Sequence, residues 1–330
     1  MTTRQYSSEH AIHTPEQQAL WEKVEHGLLP INANITLAYC QLLQPHTTKA
    51  IVISSGRIEC YEKYKELIYD LYQQGYSVYC LDHRGQGLSS RLTKNPHMGH
   101  VNKFNDYVDD FGKFIQQVVK PKKHEQLFCL AHSMGCAIAA LYMQFHTQTF
   151  NAAVFSAPMF GVNLPIPRKL VDFLATCLDS SKRPRYIIGG RDFRFKPFST
   201  NKLTSSKARY QAFHDLYRKR PTVQLGDPTN RWLLEALHAA DRCWPAIAGM
   251  RAPILLLKAQ ADTIIDNHKI DKYYRSMKHI GLGEIKSFAG AKHELFVESD
   301  EIRTQVLDAA LDFFDKHQNQ PLPSLHKSVL

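Results

Sequence analysis

Residues 50–54 (AIVIS), 76–82 (YSVYCLD), 127–131 (LFCLA) and 152–157 (AAVFSA) are short apolar runs rich in β-branched and aromatic side chains, and helical stretches separate them. A chain that alternates in this way has one economical solution. Parallel strands are joined by right-handed helical crossovers, in a mostly parallel sheet covered on both faces. One helical stretch runs from Cys60 to Gln74, with Gly75 placed to end it. A second covers about 104–119, ahead of Pro121, and a third is MGCAIAALYMQF. Between Pro158 and Pro245 the pattern breaks into mixed, basic and aromatic sequence with weak helical periodicity. It resumes at Pro253 with PILLLKA as a strand, 267–278 as a helix, EIKSFA as a short strand and 300–316 as an amphipathic helix. The expectation is an α/β core made of residues 1–157 and 246–330, interrupted by an insertion at 158–245. Thr14, Pro15 and Gln17 form the capped start of an N-terminal helix.

Length and composition narrow the class. With 330 residues, 44% of them hydrophobic, the chain can bury a sizeable core. No stretch approaches 18 uninterrupted apolar residues, and MTTRQYSSEHAIH lacks the apolar segment of a secretory signal. The seven cysteines (Cys40, Cys60, Cys80, Cys129, Cys136, Cys177, Cys243) are scattered without metal spacing and read as buried, reduced thiols. The expected compartment is the cytoplasm, and neither a metal nor a cofactor is called for.

The chemistry centres on LFCLAHSMGCAIAA. Ser133 stands where an apolar strand meets a helix that opens on small residues, a setting in which a sharp turn holds the hydroxyl clear of the backbone. Ala131 and Gly135, two residues to either side, let strand and helix approach closely; the common form of this motif has Gly where Ala131 stands. A serine at a helix start is more often a cap, so the setting carries the assignment. A serine hydroxyl also needs a base and an acid to orient that base. Asp262 follows the strand PILLLKA, and His293 lies in GAKHELF, after the next short strand and before the last helix. Asp266 is the rival acid, set aside because it lies farther from the strand end and suits a helix start. An oxyanion hole would draw one N–H from Met134 and a second from Arg57 in the SSGRIE loop, where Gly56 lets the backbone come close. The Arg57 side chain is then expected to be a solvated loop cation.

SSGRIECYEKY, LDHRGQGLSSR, GHVNKFNDYVDDF, AHSMG, QADTIID and AKHELF stand in the order found in the monoacylglycerol-lipase-like α/β-hydrolases, the serine aminopeptidase S33 or Hydrolase_4 group, which the chain resembles over nearly all of its length outside the insertion. Within that group it is most similar to bacterial lysophospholipases of the PldB type. SGRIE replaces a commoner HGxxE loop, and GGRDFRFKPFSTNKLTSSKARY and QLGDPTNRWL look like that subfamily. The resemblance implies the α/β-hydrolase fold with an inserted cap, and cleavage of the acyl ester of a lysophospholipid or another monoacyl lipid. It implies Ser133 as nucleophile, Asp262 as acid, His293 as base, and Arg57 and Met134 as oxyanion donors. Acyl transfer to another lipid hydroxyl is a variant of the same chemistry. A monoacylglycerol lipase or other carboxylesterase is the alternative, and a non-catalytic binding protein on a hydrolase scaffold the remoter one. Asp82, Arg84, Gly85 and Gly87 read as scaffold beside the active-site loops.

The formal charge of +10 has an address. Residues 182–220 hold twelve basic and two acidic residues, so the rest of the chain is balanced. Aromatic residues are interleaved with those cations. Arg191, Arg194, Lys196, Phe193 and Phe195 are the candidates for contact with substrate or an anionic membrane surface, which would place the protein peripherally on the inner face of the cytoplasmic membrane. A cap core of aromatics under a solvated basic face is the plain alternative, and nucleic acid fits least well. The sequence does not define an oligomeric state.

Overall fold

The structure, a computed structural model, describes residues 4–180 and 183–318. Lys182, counted above in the basic segment, lies outside the described residues. Among the described residues eight strands form one sheet: β1 (Glu25–Asn32), β2 (Ile35–Leu42), β3 (Lys49–Ser54), β4 (Ser77–Leu81), β5 (Gln126–His132), β6 (Ala152–Ser156), β7 (Ile254–Ala259) and β8 (Gly283–Phe288). Their spatial order is β1-β2-β4-β3-β5-β6-β7-β8. β2 is antiparallel to β1 and β4, and all other neighbouring pairs are parallel. Every residue of β4 and β6 is buried, which is why these runs are continuously apolar rather than alternating.

The sheet has a core on each face. Helices α2 (Lys65–Gln73) and α9 (Asp300–His317) cover one side, where Leu67, Ile68 and Leu71 pack with Ile51, Phe128, Val306 and Phe314. On the other side lie α3 (Asn105–Phe114), α4 (Met134–Met143) and α8 (Asn267–His279), with Phe111, Ile138, Tyr273 and Met277 in one cluster with Val52, Cys129 and Phe155. A short α1 (Pro15–Trp21) begins with the expected reciprocal cap between Thr14 and Gln17. Gly75 ends α2 at φ +86°, where the following Tyr76 N–H returns to the Leu71 carbonyl.

The structure differs from the sequence reading in five respects. The hairpin β1–β2 was not anticipated: β1 is an edge strand whose one buried residue is Leu29, and Gly27 and Pro30 interrupt any period of two. The helix expected to stop before Pro121 winds on from α3 through a wide turn at Ile115–Val119 and a tight one at Lys120–Lys122, with the proline at a first-turn position where its missing N–H costs nothing. The inserted segment is more helical than its periodicity announced, with α5 (Arg168–Leu178), α6 (Lys207–Lys219) and α7 (Asn230–Ala246). Placing the end of the insertion at 245 also assigns α7 to it, whereas Trp232, Ala236, Ala239 and Cys243, on one face of α7, belong to the core cluster with α4. Finally, Cys177 is exposed on α5; the other six cysteines are buried.

Candidate active site

Four loops leave the carboxyl edge of the sheet and meet. Ser133 follows β5 directly, Asp262 stands three residues past β7, His293 five past β8, and Arg57 three past β3. Open α/β sheets place ligand sites at this edge because the strands end there and the helices begin.

Ser133 has φ +51° and ψ −114°, a conformation unusual for a side chain with a Cβ. Such a residue typically costs about 1–3 kcal/mol and persists because its surroundings overdetermine it. Here its N–H donates to the Ser156 carbonyl at 3.0 Å, and its own carbonyl accepts from Cys136 and Met159 at 3.1 Å each. The turn is possible because α4 runs tightly against β3: a Cβ on Gly135 would lie 2.0 Å from the Ser54 carbonyl oxygen. The Ser133 hydroxyl makes no capping hydrogen bond to α4. It lies 3.0 Å from His293 Nε2, and His293 Nδ1 is 2.6 Å from Asp262 Oδ2. All three residues are buried.

Asp262 is held by more than the imidazole. Its other oxygen accepts the N–H groups of Ile264 and Ile265 at 2.7 and 3.1 Å. Burial pushes the carboxyl up, but the His293 contact and these two donors outweigh it and hold it below the usual carboxylate range. Asp266, the rival, caps α8 by accepting from the His268 N–H at 2.9 Å. The Met134 N–H, at the first position of α4, has no hydrogen-bond partner among the described residues, and neither has the Arg57 N–H. The Arg57 side chain is not a solvated cation: it donates to the Gly226 carbonyl at 2.9 Å, lies over the Trp232 ring at 5.2 Å, and burial lowers it to about 10. It thus pins the loop after β3 to the inserted segment.

The DHRGQGLS turn stands behind this loop. Asp82 accepts the Tyr61 N–H at 2.6 Å and the Leu88 N–H at 2.8 Å, and Arg84 grips Asp110 through two contacts of 2.6 Å. Gly87, at φ +56°, passes so close to Asp82 that a Cβ would lie 2.1 Å from its carboxylate.

Sequence reasoning missed a buried polar cluster beside the triad. Glu59 receives Lys63 Nζ at 2.9 Å, Tyr64 Oη at 2.5 Å, His132 Nδ1 at 3.1 Å and the Gly56 N–H, and Lys63 also meets Glu294 at 2.7 Å. Its signal was present, since Glu59 ends SGRIE and His132 and Glu294 flank Ser133 and His293. What could not be seen is that loops so distant in sequence bring these neighbours together.

The five candidates for substrate or membrane contact, Arg191, Phe193, Arg194, Phe195 and Lys196, all line one cavity of about 560 Å³, whose lining also includes Arg57, Glu59 and Glu294. Phe193 and Phe195 are 5.0 Å apart and join Tyr217 and His214 in a cluster of rings, so these aromatics also form the segment's own small core. Arg194 and Lys196 are exposed and make no ion pair among the described residues.

The chain is similar to known proteins over most of its length. The chain is 37% identical to lysophospholipase L2 of Escherichia coli over 302 residues, covering 90% of this chain and 88% of that protein. It is 34% identical to the probable lysophospholipase L2 of Haemophilus influenzae, covering 93% and 97%. Among solved structures, a soluble variant of monoglyceride lipase from Saccharomyces cerevisiae in complex with a substrate analogue superposes with a TM-score of 0.70 at 19% identity, covering 89% of this chain and 96% of that one. The model of the Hydrolase_4 family (serine aminopeptidase, S33) matches residues 45–300, and the chain belongs to that family.

Proposed function

We propose that this protein is a serine ester hydrolase that cleaves the acyl ester of lysophospholipids. The observation that carries the reading is the continuous hydrogen-bonded line from Ser133 Oγ through His293 to Asp262, built on a serine in a conformation that only a constrained turn retains. Ser133 Oγ attacks the acyl carbonyl carbon while His293 Nε2 takes its proton. Asp262 keeps the imidazole in the tautomer with hydrogen on Nδ1 and stabilises the imidazolium that forms. The Met134 and Arg57 N–H groups receive the oxyanion, and His293 returns the proton to the departing glycerol oxygen. Water, deprotonated by His293, then attacks the acyl-enzyme and releases the fatty acid.

The preference for a phosphate-bearing lipid rests on the two relatives named lysophospholipase L2 and on the cations along the cavity. Residues 158–229 act as the cap and as the face toward an anionic membrane. Five of the eight large hydrophobic residues exposed among the described ones lie there: Ile166, Leu170 and Phe173 on or beside α5, Ile188, and Phe195. Basic residues surround them in sequence, which suits a surface of lipid phosphates. No helix among the described residues is long and apolar enough to cross a membrane. The contact proposed is peripheral, on the cytoplasmic face. Turnover of lysophospholipid and monoacylglycerol by the same preparation tests the substrate. Faster hydrolysis of the lysophospholipid is expected, and activity on the neutral lipid alone would overturn the choice. A fluorophosphonate probe tests the class, and a folded protein that takes no label at Ser133 is not a serine hydrolase.

A further inference from the structure

His132, immediately before the nucleophile, has two ring nitrogens and two partners, and both partners accept. Nδ1 is 3.1 Å from Glu59 Oε2 and Nε2 is 3.2 Å from the backbone carbonyl of His293. A neutral imidazole has one donor and one acceptor nitrogen, so it can satisfy only one of these contacts; the imidazolium satisfies both. Glu59 cannot act as the donor, because its two oxygens already receive Gly56 N–H, Tyr64 Oη–H and Lys63 Nζ. Burial opposes the ionised form of Glu59, yet Lys63 and His132 hold it well below the usual carboxylate range.

We infer that His132 works as an imidazolium and is a positioning residue, bracing the loop that carries Arg57, the turn that carries Ser133 and the loop that carries His293 against one another. This rests on the hydrolase reading above for what is positioned, though not for the charge state itself. The three loops come from β3, β5 and β8, and no continuous secondary structure links them at this edge. Glu59 fixes the first by accepting the Gly56 N–H. Through His132 it reaches the second and the carbonyl of the third. Through Lys63 it reaches Glu294, next to His293. Gly56 is required where it is, since a Cβ there would lie 2.8 Å from His132 Nδ1 and 2.9 Å from Glu59 Oε2.

The groups facing His132 are Glu59, Lys63 and Tyr64 from the segment after β3, His293 and Glu294 from the loop after β8, with Asp262 behind His293, and His83 beyond Ser54 after β4. Burial works against protonating His132 and Lys63 works the same way, but Glu59 and then Glu294 outweigh them, and its proton is held above the usual histidine range. The imidazolium is therefore fully present below the ordinary histidine range, and it is lost as pH rises through that raised value. Deprotonation leaves one nitrogen facing an acceptor with no hydrogen between them, and the base loop is released.

Nitrogen-15 spectra of the histidine side chains, with the full-length protein and His132→Gln to assign the signal, read the charge state directly. Both His132 nitrogens should be protonated at pH 7.5; a neutral ring would overturn the inference, whether or not the protein hydrolyses lipid. The kinetic readout is kcat against pH. The wild type should lose kcat on the alkaline side with the same midpoint as the His132 signal. His132→Gln should lower kcat about tenfold or more with KM within about threefold, and should abolish that alkaline limb. Glu59→Gln, which keeps the shape and drops the charge, should move the limb to lower pH. A His132→Gln protein with wild-type kcat and an unchanged pH profile would show that the contact positions nothing. Fluorophosphonate labelling of Ser133 reports the hydrolase reading separately.

Discussion

Glu59, Lys63, His132 and Glu294 bury their polar groups against one another, whereas Arg194 and Lys196, which share a cavity with Glu59, Lys63 and Glu294, stand exposed with no ion pair among the described residues. The two regions use charge for different purposes. In the buried cluster each group is fixed by a partner, and removing one partner would strand another away from water, a large penalty. Arg194 and Lys196 are solvated and screened by salt, so they contribute little to the fold and remain available to an external anion. The same division runs through the apolar residues. Met134, Ile265, Leu295 and Phe296, close in sequence to the three candidates, are buried, while Leu170 and Phe173 face outward from α5.

Several substitutions would break or sharpen this contrast. The largest effect belongs to Ser133→Ala, which should lower hydrolysis by about a million-fold while circular dichroism and thermal unfolding stay native. Asp262→Asn keeps the shape of the acid but reverses its role toward the imidazole, and about a 10⁴-fold loss in kcat is expected in the same assay. On the exposed side, Arg194→Gln combined with Lys196→Gln should weaken binding to vesicles containing anionic lipid by roughly 30-fold at low salt, at about 1 kcal/mol per cation. Flotation would measure this, and the difference should shrink as salt rises; a salt-independent difference would mean the two side chains act structurally. The smallest effect is that of Asp266→Ala. Losing the α8 cap should cost about 1 kcal/mol in denaturant unfolding and leave turnover near wild type, and a large loss of turnover would mean the acid had been misassigned.

Much of the architecture could be read from the chain because its signals are local. The β-branched runs, the strand–turn–helix around Ser133 and the cap at Thr14 each depend on neighbours within a few residues. What escaped depends on partners far away. β1 carries one buried side chain and gains its pairing from β2, so no periodicity marks it. α7 looked like part of an irregular insertion until its apolar face met α4. Arg57 read as a loop cation because nothing near it in sequence announces Gly226 and Trp232 as its partners.

The sequence by itself determined the order and kind of elements, the identity of Ser133, Asp262 and His293 as candidates, and the confinement of the excess charge to residues 182–220, since composition and local turn chemistry contain that information. Only the tertiary structure decided that the three candidates share one hydrogen-bonded line and that His132 stands between two acceptors. Those facts concern distances between loops that lie up to 161 residues apart. The folded sheet, by bringing its strand ends together, sets such distances.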